Sequence, residues 1–307
     1  MSCLLHNLPS EIIWQIVSYL SLKDLTTARL ASMKLRHFCD HPSHWKNIRL
    51  EPPRKAATTT TTDDKNSNTK PSSMPLWQIN DLEHILEPHL KHIQSIRIWG
   101  VRDNIVRYLL QHCVNLNDLT ICGWTTLSNH AFKTSRTRLA LRRLELIGAD
   151  QQPNYAAIDA RLLGDLLTQC PDLSELMLGC QVHIHARTLL IELRKRKNST
   201  SNTTQQHRQQ LPPLQLRSLT LATRRTWSQR HVAELLDLCP HLERVSLFLA
   251  AAKGFDLKKS EDIHQLMMAD KPQEVSLEPN SDGEEDDAQD NVVGMAHDMV
   301  IFRRLSS

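Results

Sequence analysis

From Ile12 to Leu20 the stretch IIWQIVSYL leaves only Gln15 and Ser18 polar. The helix it predicts is apolar almost all round and must be covered on more than one side. Pro9 suits a first helical position, where its missing N–H would have no partner anyway. Ser21 followed by Asp24 predicts the cap of a second helix and Ser32 that of a third. Pro42 opens a further turn that places Trp45. Large apolar residues crowd residues 4–50 beyond what so short a unit can hide, since a domain below roughly 60 residues buries only about 60% of its extended surface. Five such side chains left open would yield on the order of 8–15 kcal/mol when covered. Association costs roughly 4–15 kcal/mol, so the excess has the size a partner-binding module needs.

A second pattern fills residues 76–250. The pieces CVNLNDLTI (113–121), CPDLSELML (170–178) and CPHLERVSL (239–247) each place aliphatic residues three, six and eight positions after a cysteine. The same triad recurs without cysteine as Ile93/Ile96/Ile98, Leu141/Leu144/Leu146 and Leu216/Leu219/Leu221. Middle anchors at 96, 119, 144, 176, 219 and 245 are 23, 25, 32, 43 and 26 residues apart, the longest gap holding a polar insertion at 194–213. Helical spacing precedes the triads: Ile105, Val106, Leu109, Leu110 and Cys113 share one face, as do Leu162, Leu163, Leu166, Leu167 and Cys170. Val232, Leu235, Leu236 and Cys239 follow, and Ile79, Leu82, Ile85 and Leu86 roughly so; LSNHAFKTSRTRL is the weakest helix of the set. Units of helix and short strand bury their apolar faces only by stacking on neighbours.

Polar tracts divide the chain into 1–50, a low-complexity linker at 51–75, the repeating region at 76–250, and a mostly disordered acidic region at 251–307. Its tail AHDMVIFRRL (296–305) either caps the exposed end of the stack or is disordered. Lys+Arg 37 against Asp+Glu 34 gives a net charge of +3, which offers no electrostatic case for nucleic acid. No apolar run of about eighteen residues predicts a membrane span, and no signal peptide is expected. Seven scattered cysteines without a C-x-x-C pair fit a reducing compartment, cytoplasmic or nuclear.

The repeated C-P-x-L-x-x-L-x-L resembles the cysteine-containing type of leucine-rich repeat. Residues 8–50 resemble an F-box, through Leu8-Pro9, Glu11-Ile12, Ile16, Tyr19-Leu20, Asp24-Leu25, Arg29-Leu30-Ala31-Ser32, Lys34, Trp45 and Leu50; the aromatic often found after the basic residue is Leu35 here. The fold expected is α/β: a small helical F-box followed by a curved solenoid of about six irregular strand–helix repeats. The resemblance implies docking on a Skp adaptor through Leu8, Pro9, Ile12, Ile16, Leu20 and Leu25, as partner-facing residues or as support for that face. Through the adaptor it implies a cullin scaffold with its RING protein. The chain would be a substrate receptor of a Skp–cullin–F-box ubiquitin ligase that holds a protein client for ubiquitination and degradation. The alternative is a Skp-bound scaffold with no ligase role.

Strand alternation predicts the client surface. Trp99 and Phe248 are its expected apolar anchors, Arg97, Arg143 and Arg244 its polar readers, and Glu145 and Glu175 stand among them; solvated strand positions are the competing reading. The mixed signs give no preference for acidic clients. His183-x-His185 beside Cys180 and Cys170 is weak as a metal site, because the repeat position already accounts for Cys170. Phosphate-loop, nucleophile-elbow and metalloprotease motifs do not occur and glycines number only 8, so neither catalysis nor a cofactor is expected. RKRK (194–197) reads as a helix end running into a loop or as a nuclear import signal. Ser281 before Asp282, Glu284 and Glu285 reads as an acidophilic phosphosite or as part of an inert acidic linker.

Overall fold

A computed structural model describes residues 8–51, 76–124, 126–135, 138–147, 155–179, 181–201, 214–222, 227–248, 273–277 and 299–304. Four short helices open the chain: α1 (Ser10–Ser18), α2 (Leu22–Ala31), α3 (Met33–Cys39) and α4 (Pro42–Lys46). Ser21 caps α2 by accepting from the Asp24 amide at 3.2 Å while its hydroxyl donates to the Asp24 carboxylate at 2.6 Å. The shorter acid closes the capping pair through the side chain. Ser32 caps α3 through the Leu35 amide, and Pro9 stands one residue before α1. Ile13, Val17, Leu25, Cys39 and Trp45 form the small core of this unit, with Leu8, Leu20 and Phe38 packed on it. The Trp45 indole donates to the Cys39 carbonyl at 2.8 Å, and Arg29 clamps Asp40 through Nε and Nη2 at 2.8 and 3.1 Å.

The remaining elements alternate. In chain order the strands are β1 (Asn47–Leu50), β2 (Ser95–Trp99), β3 (Asp118–Cys122), β4 (Thr126–Leu127), β5 (Arg143–Ile147) and β6 (Tyr155–Asp159), followed by β7 (Glu175–Gly179), β8 (Gln181–His183), β9 (Ser218–Ala222), β10 (Arg244–Phe248), β11 (Gln273–Leu277) and β12 (Met299–Arg304). The helices are α5 (Ile79–Leu86), α6 (Asp103–His112), α7 (Ala160–Gln169), α8 (Ala186–Ser201) and α9 (Gln229–Leu238). One mixed sheet runs β1-β2-β3-β5-β7-β9-β10-β12-β11; from β1 to β10 every neighbour is parallel and in chain order, and β12 joins β10 antiparallel. The middle anchors Ile96, Leu119, Leu144, Leu176, Leu219 and Val245 lie side by side in register, all buried against the helices. The helical faces read at α6, α7 and α9 join the same core.

Four features depart from the sequence reading. The segment expected to hold the third helix forms only a 3-10 turn, Asn129–Ala131, because it lacks an apolar stripe long enough to hold a helix down. A small second sheet, β4-β6-β8, lies where no strands were expected. α8 continues to Ser201, inside the stretch read as a polar insertion from 194. In the region after 250 read as mostly disordered, β11 was not expected, whereas β12 follows the capping alternative for the tail, with Ile301 and Phe302 buried. The Arg304 guanidinium donates to the Leu236 and Pro240 carbonyls at the end of α9, so the tail closes the last helix as well as the sheet. The linker at 52–75 lies outside the described residues.

The first unit and the sheet share a seam. β1, the last piece of the stretch that resembles an F-box, pairs with β2 as the first strand of the sheet, Ile48 beside Ile96 and Leu50 beside Ile98. Trp45 stacks on His89 at 3.6 Å between ring centroids and 13° between planes.

Candidate functional site

Two surfaces remain as candidates. The first is on α1. Ile13 and Val17, four apart, turn into the small core. Ile12, Ile16 and Tyr19 follow the same spacing on another face and stay 42%, 41% and 82% exposed. Leu30 and Met33, at the junction of α2 and α3, are also open. α1 was expected to need cover on more than one side, and its own unit supplies only one. Covering these five would yield roughly 5–9 kcal/mol, scaling about 1.5–3 kcal/mol per large apolar side chain by the fraction still open. That falls within the roughly 4–15 kcal/mol cost of association, so a stable complex needs further contacts around the strip.

Among the residues assigned to this surface, Ile12, Ile16 and Pro9 are exposed, while Leu8 and Leu20 are half-buried against the core. Leu25 is interior, 3% exposed, which is the supporting alternative and not a partner-facing one. Tyr19, Leu30 and Met33 were not assigned; the exposed phase of the α1 stripe, Ile12 to Tyr19, is the signal that would have added Tyr19. Trp14 stands beside them but packs its ring on His41 and His44 at 4.7 and 4.8 Å. Burial first, then the neighbouring His41, lowers the His44 pKa, so His44 meets Trp14 as a neutral ring.

The second surface is the face of the sheet away from the helices. Arg97, Trp99, Arg143, Glu145, Glu175 and Arg244 all lie on it, half-buried; Phe248 belongs to β10, and its side chain lies outside the described residues. The charges are organised. Arg143 binds Glu175 at 2.5–2.7 Å and stands 3.8 Å from Glu145, whose carboxylate also accepts from Thr120 at 3.0 Å. Arg244 donates to Ser218 at 3.1 and 3.2 Å. These residues therefore tie strand to strand. Arg97 and Trp99 are set differently: the Arg49 and Arg97 guanidinium carbons lie 4.6 and 5.1 Å from the centre of the Trp99 ring. Arg49, supplied by β1, was missed because β1 was read as the end of the first unit. Its signal was present, since Trp45, Ile48 and Leu50 repeat the triad spacing.

Cys39, Cys113, Cys122, Cys170 and Cys239 are buried thiols. Burial drives the Cys170 pKa up to about 12 and the Cys122 pKa up to about 11, so neither is a ready nucleophile or metal ligand. Among the described residues no group of three or more His, Cys, Asp or Glu is placed to hold a metal. Cys180 and Ser281 lie outside them. No helix among the described residues is long and apolar enough to cross a membrane.

Compared with known families, residues 5–51 match the F-box-like family. None of the curated proteins matches the chain. The N-terminal unit is thus an F-box-like module, in general a docking element for a Skp-type adaptor, and it is carried on an α/β region with a mixed sheet.

Proposed function

We propose that the chain is the non-catalytic substrate receptor of a Skp–cullin–F-box ubiquitin ligase, working in the cytoplasm or nucleus. The observation that carries this reading is the uncovered strip Ile12, Ile16 and Tyr19 on a helix whose other side is fully engaged. Parallel strands in chain order, helices on one face and in-register aliphatic triads support a leucine-rich-repeat solenoid as the receptor body. The chemistry lies on other subunits: thioester transfer at the conjugating enzyme and attack by a client lysine. This chain contributes proximity, raising the effective concentration of the client lysine.

Affinity purification tests the proposal. The intact chain should recover a Skp adaptor and, with it, a cullin; Ile12→Asp/Ile16→Asp should recover neither and keep its fold, since both side chains face solvent. Recovery of adaptor without cullin would favour a non-proteolytic scaffold. Equal recovery by both forms would refute the docking strip.

A further inference from the structure

On the face of the sheet away from the helices, β9 and β10 set Arg244 beside Ser218 and Ser246 beside Thr220. Val245 and Leu247 turn the other way into the core, so Arg244 and Ser246 share the open face, two residues apart. The polar groups here are unevenly matched. Glu175, two strands from Arg244 in the same row, is held by Arg143, and Glu145 by Thr120 and Arg143. Arg244 has no acidic partner among the described residues; its Nε and Nη2 both donate to the one hydroxyl of Ser218. That leaves other N–H groups of the guanidinium fork open. Ser246 is fully buried, and its hydroxyl has no hydrogen-bond partner among the described residues. A buried hydroxyl left unpaired costs stability that a small apolar side chain would not. Thr220 beside it is buried as well. The strand pair thus keeps a cation without an acid next to a hydroxyl without a partner.

We propose that Arg244 and Ser246, with Thr220 beside them, form a binding site for the carboxylate of an aspartate or glutamate side chain on an extended client peptide. The inference rests on the receptor reading above and names a client chemistry for that surface. One carboxylate oxygen takes N–H groups of Arg244 in a charge-assisted pair. The other accepts the proton of the Ser246 hydroxyl, so that each group gains the partner it lacks. Entry calls for side-chain rather than backbone movement: Arg244 and Met177, which border the hydroxyls, are half-buried, long and able to change rotamer. A nucleic acid strand also carries anions, but laid across the strands from Arg244 it would run onto Glu175 and then Asp118 in the same row. A peptide with a single acid at the right place avoids them.

The test presents the full chain with three immobilised degenerate peptide libraries, identical except for a central Glu, Gln or Lys. The intact chain should retain the Glu library about threefold to tenfold over the Gln library, the range of one or two charge-assisted bonds at a half-exposed site. Arg244→Gln should abolish that preference, and Arg138→Gln, whose partner is Asp172, should leave it intact. Ser246→Ala separates binding from folding. It should lower the Glu preference while holding or raising the urea midpoint, because it removes a buried hydroxyl that nothing satisfies. No Glu preference in the intact chain, or an unchanged preference in Arg244→Gln or Ser246→Ala, would overturn the inference. So would a fallen urea midpoint in Ser246→Ala, or displacement of the Glu library by a ten-nucleotide oligothymidine. Recovery of Skp adaptor from the same preparations separates the two readings. Adaptor without Glu preference sinks only the carboxylate site, and Glu preference without adaptor sinks only the ligase role.

Discussion

His89 is a titratable side chain almost closed off from water. It is 2% accessible, stacked on Trp45, with Nε2 at 3.6 Å from Asp40 Oδ1, longer than a hydrogen bond. Burial lowers its pKa from 6.5 to about 4, and the pull of Asp40 in the other direction is too small to reverse this. A base with a depressed folded pKa gives the native state its full stability above the unfolded value of 6.5; that stability is lost as pH falls towards 4. The loss should reach about 3 kcal/mol. His89→Gln removes the titration, so urea midpoints measured from pH 7 to pH 4 should fall less steeply in the variant than in the parent. Equal slopes would show that His89 is not held neutral. At the same seam, Trp45→Ala should cost about 3–5 kcal/mol, read by urea denaturation, because it removes both the stacking partner and the bond to Cys39.

Elements differ in how openly the sequence announces them. The six triads were readable because a strand buried on its helix side repeats the same apolar offsets, and every middle anchor lands in register. The faces of α6, α7 and α9 were readable from 3.6 periodicity for the same reason. β1 was missed although Trp45, Ile48 and Leu50 carry the triad, since its residues were already claimed by the helical unit and a low-complexity tract separates it from β2. The β4-β6-β8 sheet was illegible because two- to five-residue strands leave too short a pattern. At the candidate sites alternation put Arg97, Trp99, Arg143, Glu145, Glu175 and Arg244 on the sheet face where the structure has them, but it could not show that Arg143 and Glu175 bind one another or that Arg49 joins Trp99; both depend on partners distant in sequence. β12 gives the prediction proper to this scale. Its Phe302 is fully buried beside Val245, so Phe302→Ala should lower stability by about 3–5 kcal/mol, measured by thermal or urea unfolding. A loss below about 1 kcal/mol would mean that the tail does not close the sheet.

Across the whole molecule a single backbone ladder connects the parts. The Gln94 amide donates to the Lys46 carbonyl, Asn117 to Gln94, Arg142 to Asn117, Ser174 to Arg142, Arg217 to Ser174, Glu243 to Arg217 and Arg304 to Glu243. It begins in the F-box-like module and ends in the terminal strand. With Trp45 stacked on His89 and Ile85 packed on the module's core, the module has no separate boundary at which to unfold. Urea denaturation followed by tryptophan fluorescence and by far-ultraviolet circular dichroism should therefore give coincident transitions, whereas an independent module would melt first and split them. Such a joint would fix the strip on α1 relative to the sheet face. The docking itself is tested most directly by calorimetric titration of the purified chain with a purified Skp adaptor. Saturable binding at one site, weakened at least about tenfold by Ile12→Asp, is the result expected. Absence of binding by the intact, folded chain, or an affinity that Ile12→Asp leaves untouched, would contradict it.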